Sequence, residues 1–308
     1  MPNTVPLQFY NRYTGKLEDE RIYGERWLRW AYGHPLGRLS VWAVGKRAWL
    51  SRWYGWRMNQ PSTRRLIPEF INNYAVDPTE FSKSLPEFTD FNDFFMRQLK
   101  PEARPIAPGE GIAVFPADGR HLGFNNVEEA EGFYVKGEKF SLVRLFGEKL
   151  AKRYARGACI ISRLCPVDYH RFHFPCDGTV FPTRELPGPL YSVHPFALRR
   201  AVDILATNKR TLTPLESPEF GTVAILEIGA TMVGSIVQTY CDSGEDSFVL
   251  GVAKGQEKGY FAFGGSCTIT LFEPGRIKLA ADLVELSRNQ IELYARMGDA
   301  MGESVTGS

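Results

Sequence analysis

From about Pro105 onward the chain is written in short apolar runs broken by Gly, Pro, Asp and Asn, as in "GIAVFPADGRHLGF", "FHFPCDGTVFP" and "GTVAILEIGATMVGSIV". That spacing predicts a mainly antiparallel sheet system, because the breakers fall where hairpins turn. Two of the breaks are near copies, "FPADG" (Phe115 to Gly119) and "FPCDG" (Phe174 to Gly178). Asp-Gly is the commonest hairpin-turn dipeptide, so either alone is unremarkable, but together they suggest equivalent turns in a pseudo-duplicated β domain. Helical signals flank this region. "TDFNDFFMRQLK" offers caps at Thr89 to Asn92 before an apolar face, and "LVELSRNQIELYARM" (Leu283 to Met297) returns to a helical period. The expected class is α+β: a mainly antiparallel β barrel or sandwich core with an N-terminal amphipathic helical region and a C-terminal helix. The expected division is a helical, membrane-interfacial region over 1–75 and a β-rich catalytic domain over 76–308.

The N-terminal region differs in texture from the rest. All six tryptophans (Trp27, Trp30, Trp42, Trp49, Trp53, Trp56) lie in it, and between Arg26 and Pro68 nine Arg or Lys face no acidic residue. On a helix, Trp42, Trp49, Trp53 and Trp56 share one narrow face flanked by Lys46, Arg52 and Arg57. Tryptophan favours the membrane–water boundary, and each basic residue near an anionic surface adds about 1 kcal/mol of attraction. A stripe packed on the protein's own core would leave the missing acids unexplained, so the segment is expected to lie on a membrane surface.

Composition excludes several classes. A hydrophobic content of 44% argues against disorder, and a net charge of +2, without a basic tract in a recognisable module, gives no reason to expect nucleic acid. The five cysteines (Cys159, Cys165, Cys176, Cys241, Cys267) include no C-x-x-C pair and follow no signal peptide, which fits a reducing compartment without structural zinc. The longest uncharged runs, such as the 14 residues Ile228 to Cys241, fall short of a membrane span.

Chemistry concentrates in two places. In "YFAFGGSCTIT" (Tyr260 to Thr270) two glycines interrupt a strand-like run just before a serine. Glycine weakens a strand interior, so it marks a bulge or a close backbone approach. It also leaves the Gly265 carbonyl open to the neighbouring hydroxyl, and Ser266 is thereby able to attack its own peptide bond. The second place is "CPVDYHRFHFPCDG", with His170 and His173. A three-residue offset on a strand points side chains to opposite faces, and with no third ligand nearby no metal is expected. A strand that bulges or ends there would let both serve one site. Asp, His and Ser together make a serine nucleophilic, the imidazole taking the proton and the carboxylate fixing its tautomer. An ordinary hydrolase exposes that serine on a turn, whereas Ser266 runs straight into "CTITLF", which favours the chain's own backbone as target.

These residues, with "FYNRYTGKLEDERIYGE", "FFMRQLKPEARPI", "PADG", "PVDYHRFH", "YSVHP", "IGATMVGSI" and "KGQEKGYFAFGGS", closely resemble the bacterial phosphatidylserine decarboxylases over nearly the whole chain. The resemblance implies a proenzyme that cuts itself between Gly265 and Ser266 into a β chain (1–265) and an α chain (266–308), which stay associated. Asp118, His173 and Ser266 match the cleavage triad, and Ser266 becomes a pyruvoyl group that forms a Schiff base with the substrate amine. His170 matches the proton donor in decarboxylation. The substrate implied is phosphatidylserine in a membrane, the product phosphatidylethanolamine, and the location the cytoplasmic side of the cell membrane, peripherally bound; a homodimer is among the assemblies allowed. The departure from the family pattern is Cys267, where Thr or Ser is more usual. Arg199, Arg200 and Arg210 are candidates for the phosphate. The residues alone leave open a pyruvoyl decarboxylase of another serine-headed lipid or of an amino acid, a serine hydrolase, and a non-catalytic membrane-associated scaffold.

Overall fold

The computed structural model describes residues 7–21, 24, 30–31, 33–40, 48–130, 141–198, 203–230, 236–240, 249–262, 264 and 266–305. Its strands are, in chain order, β1 (Gln8–Asn11), β2 (Lys16–Asp19), β3 (Ile112–Val114), β4 (Gly119–Phe124), β5 (Cys159–Leu164), β6 (Arg171–His173), β7 (Gly178–Val180), β8 (Arg184–Leu186), β9 (Arg210–Ser217), β10 (Gly221–Ile228), β11 (Ile236–Gln238), β12 (Leu250–Val252), β13 (Glu257–Phe261), β14 (Ser266–Phe272), β15 (Ile277–Leu279), β16 (Glu292–Ala295) and β17 (Ala300–Ser304). Eleven of them form one sheet in the order β12-β7-β9-β10-β14-β5-β4-β16-β1-β2, with β8 pairing β9 off that path. Every pairing in this sheet is antiparallel except β1 with β16. Its two ends, β12 and β2, do not pair, so of the two forms expected, barrel or sandwich, the mainly antiparallel α+β core does not take the closed barrel.

Strand alternation gives this sheet two different faces. Leu122, Ile161, Leu226 and Ile269 pack with the short helices Leu142–Phe146, Glu148–Tyr154 and Ile204–Thr207 on one face. Ile160, Val223, Ile225 and Phe272 face the other way and pack with Phe115, Phe174, Leu279 and Met301, which belong to or adjoin two three-stranded sheets, β11-β13-β6 and β15-β17-β3. The result is a sandwich.

The two near-copied turns are structurally equivalent, and the equivalence extends well beyond five residues. Phe115 donates its N–H to the Asp299 carbonyl (2.9 Å) and accepts from Gly298 (3.1 Å); Phe174 does the same with Gln256 (2.9 Å) and Gly255 (2.8 Å). The Met297 N–H donates to the Asp118 carboxylate and the Lys254 N–H to Asp177, both at 2.9 Å. β3 and β6 each pair with a bulged partner, the register slipping between Ala300 and Gly302 of β17 and between Glu257 and Gly259 of β13. The turns bond each other reciprocally, Val114 N–H to the Pro175 carbonyl (2.9 Å) and His173 N–H to that of Pro116 (2.8 Å). A pseudo-two-fold relation therefore matches Val114 to His173 and Asp118 to Asp177. Followed through the strand registers, it matches β4-β5-β14 to β7-β9-β10, so that Ser266 corresponds to Gly221.

Two expectations need correction. Leu283 to Met297 is not one helix: Ala281–Arg288 is helical, and β16 follows. Gln290 turns left-handed at φ +59°, and Ile291 N–H closes on the Leu286 carbonyl at 2.9 Å, which ends the helix. "ELYA" also reads as strand alternation, with Leu293 and Ala295 in the core, and the ladder with β4 decides it. The region 1–75 is not helical throughout, since the β1–β2 hairpin extends the main sheet through β16. Met58, Phe70 and Ile71 share an aromatic cluster with Phe81, Phe88, Phe91 and Phe94. Asp90 caps the helix Phe91–Phe95, accepting from Asp93 N–H, within the stretch expected to supply the cap.

Helix Ala48–Met58 packs Met58 on that cluster, while Trp53 and Trp56 are 53% and 59% exposed; Trp30 is 46% exposed. Trp27 and Trp42 lie outside the described residues.

Candidate active site at the start of β14

Ser266 opens β14 opposite Leu164 and is fully buried. Its Oγ has no hydrogen-bond partner among the described residues. A buried hydroxyl without a partner is costly, and Thr268 and Thr270 further along β14 share this feature. The chain reaches it through Gly264 at φ +129°, a backbone conformation that a side chain would strain. Gly265, the other half of the expected cleavage bond, lies outside the described residues.

The two histidines come to the site from the loop before β6 and from the end of β6. His170 lies over Phe95, ring centroids 4.0 Å apart, and its Nδ1 donates to the Asp168 carbonyl at 3.0 Å, which leaves Nε2 as the lone-pair nitrogen. Burial lowers its pKa to about 3, against the carbonyls of Asp168 and Gly264, which favour the charged ring. The Gly264 carbonyl therefore lies against His170. His173 adjoins the "FPADG" turn through its N–H to Pro116, and its Nδ1 has no hydrogen-bond partner among the described residues. Burial lowers its pKa to about 4, opposed by Glu257, the Pro116 carbonyl and Asp118. Both imidazoles are thus neutral at ordinary pH, the form that accepts a proton.

Asp118 is buried near His173, but its carboxylate is already engaged. Arg104 Nε donates to both oxygens (3.0 Å each), Arg104 Nη2 donates to Oδ2 (2.6 Å), and Met297 N–H donates to Oδ1 (2.9 Å). The Asp118 and His173 side chains therefore sit in adjoining segments without a direct hydrogen bond. Arg104 was missed in the sequence, although it stands in the quoted "KPEARPI"; nothing in its spacing distinguishes a carboxylate clamp from a surface charge. The duplication separates the two Asp-Gly turns: the position across from Asp118 holds His173, whereas the one across from Asp177 holds Val114.

Three further sequence-level points resolve. Cys267 is buried on the opposite face from Ser266, and burial pushes its thiol pKa up, so it does not compete as a nucleophile. Arg210 is consumed by the carbonyls of Leu145, Asn208 and Arg144 at 2.9, 2.8 and 2.9 Å, which removes it as a phosphate ligand. Arg199 and Arg200 lie outside the described residues. A cleft of about 380 Å³ adjoins Asp118 instead, lined by Arg97, Arg104, Arg120, Asp168, Tyr169 and Tyr294 among others.

The family model for phosphatidylserine decarboxylase matches residues 91–303, which include every side chain of this site. The chain belongs to the phosphatidylserine decarboxylase family. Among curated relatives, a phosphatidylserine decarboxylase proenzyme of Fusobacterium nucleatum subsp. nucleatum is 41% identical over 301 residues, 97% of this chain and 98% of that protein. Those of Chlamydia caviae and Chlamydia pneumoniae are each 45% identical, over 300 and 299 residues, covering 97% and 96% of this chain and 98% and 97% of theirs. "Proenzyme" in those names denotes a precursor that must be processed, and family membership carries the zymogen character with it.

Proposed function

We propose that this chain is a phosphatidylserine decarboxylase precursor that matures by its own chemistry at Gly265-Ser266 and converts phosphatidylserine to phosphatidylethanolamine. The observation that carries the reading is the buried Oγ of Ser266, without a partner among the described residues, two positions after Gly264 at φ +129°, whose carbonyl lies against the neutral ring of His170. His173 takes the hydroxyl proton, Oγ attacks the Gly265 carbonyl, and the proton returns to the Ser266 nitrogen as the amide becomes an ester. Asp118, held by Arg104, favours the imidazolium that forms meanwhile. Elimination from that ester releases Gly265 as a carboxylate, and hydrolysis of the remaining dehydroalanine leaves the pyruvoyl group at the head of the α chain with loss of ammonia. A fully buried serine at the head of a strand fits such a group. When present, the pyruvoyl ketone supplies an electron sink for the substrate amine, as carbonyl cofactors do. His170, fixed by Asp168 and by stacking on Phe95, is placed to return a proton to the substrate α-carbon. The mixed-charge cleft beside Asp118 suits a headgroup that carries an ammonium next to a carboxylate and a phosphate.

Peripheral docking on the cytoplasmic face of the cell membrane is part of the proposal. Trp30, Trp53 and Trp56 stand exposed in a segment without acids. Among the described residues no helix is long and apolar enough to cross a membrane. The decisive experiment is intact mass of the purified protein: two chains are expected, with residues 266–308 one ammonia lighter than a serine-started peptide. Ser266→Ala should remain one chain, and cutting of that variant at the same bond would sink the reading.

A further inference from the structure

The pseudo-two-fold relation allows the interior of each half to be compared position by position. In the half without a reactive serine, the row of cross-strand neighbours on the sandwich-facing side of the sheet is Val180, Leu215, Val223 and Phe272, all in the apolar core. In the half that carries Ser266, the matching row is His121, Ser162, Thr268 and Glu227. The covering strands differ in the same sense. Met301 and Leu279 in one half correspond to Lys258 and Gln238 in the other, each pair placed by matching bonds (Ala280 N–H to Met301, Thr239 N–H to Lys258, both 2.9 Å). The fold therefore has a working apolar solution at these positions, and one half departs from it at all of them.

The departure is costly, because Lys258 and Glu227 form an ion pair at 2.9 Å with both side chains wholly inaccessible. Lys258 Nζ also donates to Gln238 (2.8 Å) and lies 5.5 Å from the ring centroids of Phe172 and Tyr240. Thr211 and Gln238 donate to the other Glu227 oxygen. Thr268, directly opposite Glu227, keeps a buried Oγ1 without a partner among the described residues. Ser266 is two residues before Thr268, hence on the same face and diagonal to Glu227, a spacing of about 7–8 Å that long side chains bridge.

We propose that the Glu227–Lys258 pair is an electrostatic positioning element for maturation, holding a cation on the interior face that carries Ser266, where the elimination releases a carboxylate. The inference rests on the reading of Ser266 as the self-processing residue. In the elimination the Ser266 Cα hydrogen leaves as a proton to the His173 imidazole, the electron pair forms the Cα–Cβ double bond, and the Cβ–Oγ bond breaks to expel the carboxylate. One negative charge thus appears on an interior face from which water is excluded. Lys258 is the described cation of that face, and Glu227 keeps it charged and oriented until the new anion forms.

The test is the double variant Lys258→Met/Glu227→Gln, which removes both charges together and so avoids leaving one buried alone. It should unfold at a temperature equal to or above that of the parent, as the apolar half predicts. Its processing half-time should lengthen at least tenfold, and the unprocessed chain should hold the ester. Hydroxylamine would then cut it into a Gly265 hydroxamate and a fragment that begins with serine, seen by mass. Wild-type processing rates in this variant, or a slow precursor that hydroxylamine does not cut, would overturn the proposal. Failure of the parent protein itself to split would overturn the reading of Ser266 instead.

Discussion

Acid should unfold this protein well before its carboxylates titrate, because three histidines are buried neutral. His121, His170 and His173 have pKa values lowered to about 3, about 3 and about 4, in each case chiefly by burial. In an unfolded chain each titrates near 6.5. Between the two values the unfolded state binds more protons, so stability falls as pH falls through about 6.5 and keeps falling until the folded-state pKa is reached. At about 1.36 kcal/mol per pH unit, going from 6.5 to 5 costs roughly 2 kcal/mol for each ring and roughly 6 kcal/mol for three, against a typical total of about 5–15 kcal/mol. Asp168 is raised by burial and works in the opposite direction, while Glu20, held low by Arg163, contributes only further into acid. The clean measurement is therefore a difference between variants. His121 is the right probe: Nε2 donates to the Ala295 carbonyl at 3.1 Å and Nδ1 accepts from Ser162 at 2.9 Å, which fixes a neutral tautomer, and the matching position in the other half is Val180. Urea unfolding at pH 7.5 and pH 5.0 should be run on Ser266→Ala, kept as one chain, with and without His121→Val. The substitution should shrink the pH-dependent loss by about 2 kcal/mol, one ring's share. An unchanged loss would mean that His121 titrates as it does in water and that burial is not controlling these rings.

Two other outcomes test separate parts of the site. His173→Ala and Asp118→Ala should leave the chain uncut by denaturing electrophoresis, Asp177→Ala should split normally, and His170→Ala should split yet decarboxylate roughly 10²–10⁴-fold more slowly; uncut His170→Ala with processed His173→Ala would exchange the two roles. Vesicles containing anionic lipid should bind the protein less well as salt rises, and Trp53→Ala/Trp56→Ala should weaken that binding without moving the unfolding temperature; unchanged binding would place the lipid contact elsewhere.

What was legible in the sequence followed from local rules. Asp90 caps its helix because a side-chain oxygen three residues before a free N–H is a local fit, and the duplicated turns announced themselves through Asp-Gly within apolar flanks. The limits of the C-terminal helix were not legible, since Glu292 to Ala295 satisfies both periods and only the ladder with β4 selects the strand. Arg104 and the Lys258–Glu227 pair were illegible for a related reason. A charged side chain in a sequence carries no mark of burial, and these lie 14 and 31 residues from their partners. The open sheet in place of a barrel belongs here too, because closure depends on whether β12 and β2 meet, which no local pattern encodes.

The duplication also bears on why a symmetric scaffold holds one reactive serine. Backbone demands are shared: both turns need an aspartate to receive an N–H, and both bulged strands need a glycine where register slips, so Asp118 and Asp177, or Gly302 and Gly259, reveal nothing about chemistry by themselves. Function has to be sought where the halves disagree. His173 against Val114, Ser266 against Gly221 and Glu227 against Phe272 are such disagreements, and two of them, Ser266 and Glu227, lie diagonal to each other at one end of β14. Gly221 is itself informative: at φ +67° it serves as the turn into β10, a purely conformational duty, whereas at the matching point the left-handed backbone is shifted back to Gly264 and the strand's first residue becomes a buried serine. Under the proposed reading, an aspartate that is structural in both halves is put to chemical use in one because a histidine stands where the other half has a valine. On this reasoning Val114→His should place an imidazole beside Asp177 yet produce no second cleavage, since Gly221 offers no hydroxyl; intact mass of Val114→His in the Ser266→Ala background should show one uncut chain, and any scission near Gly221 would refute the argument that nucleophile and base are both required.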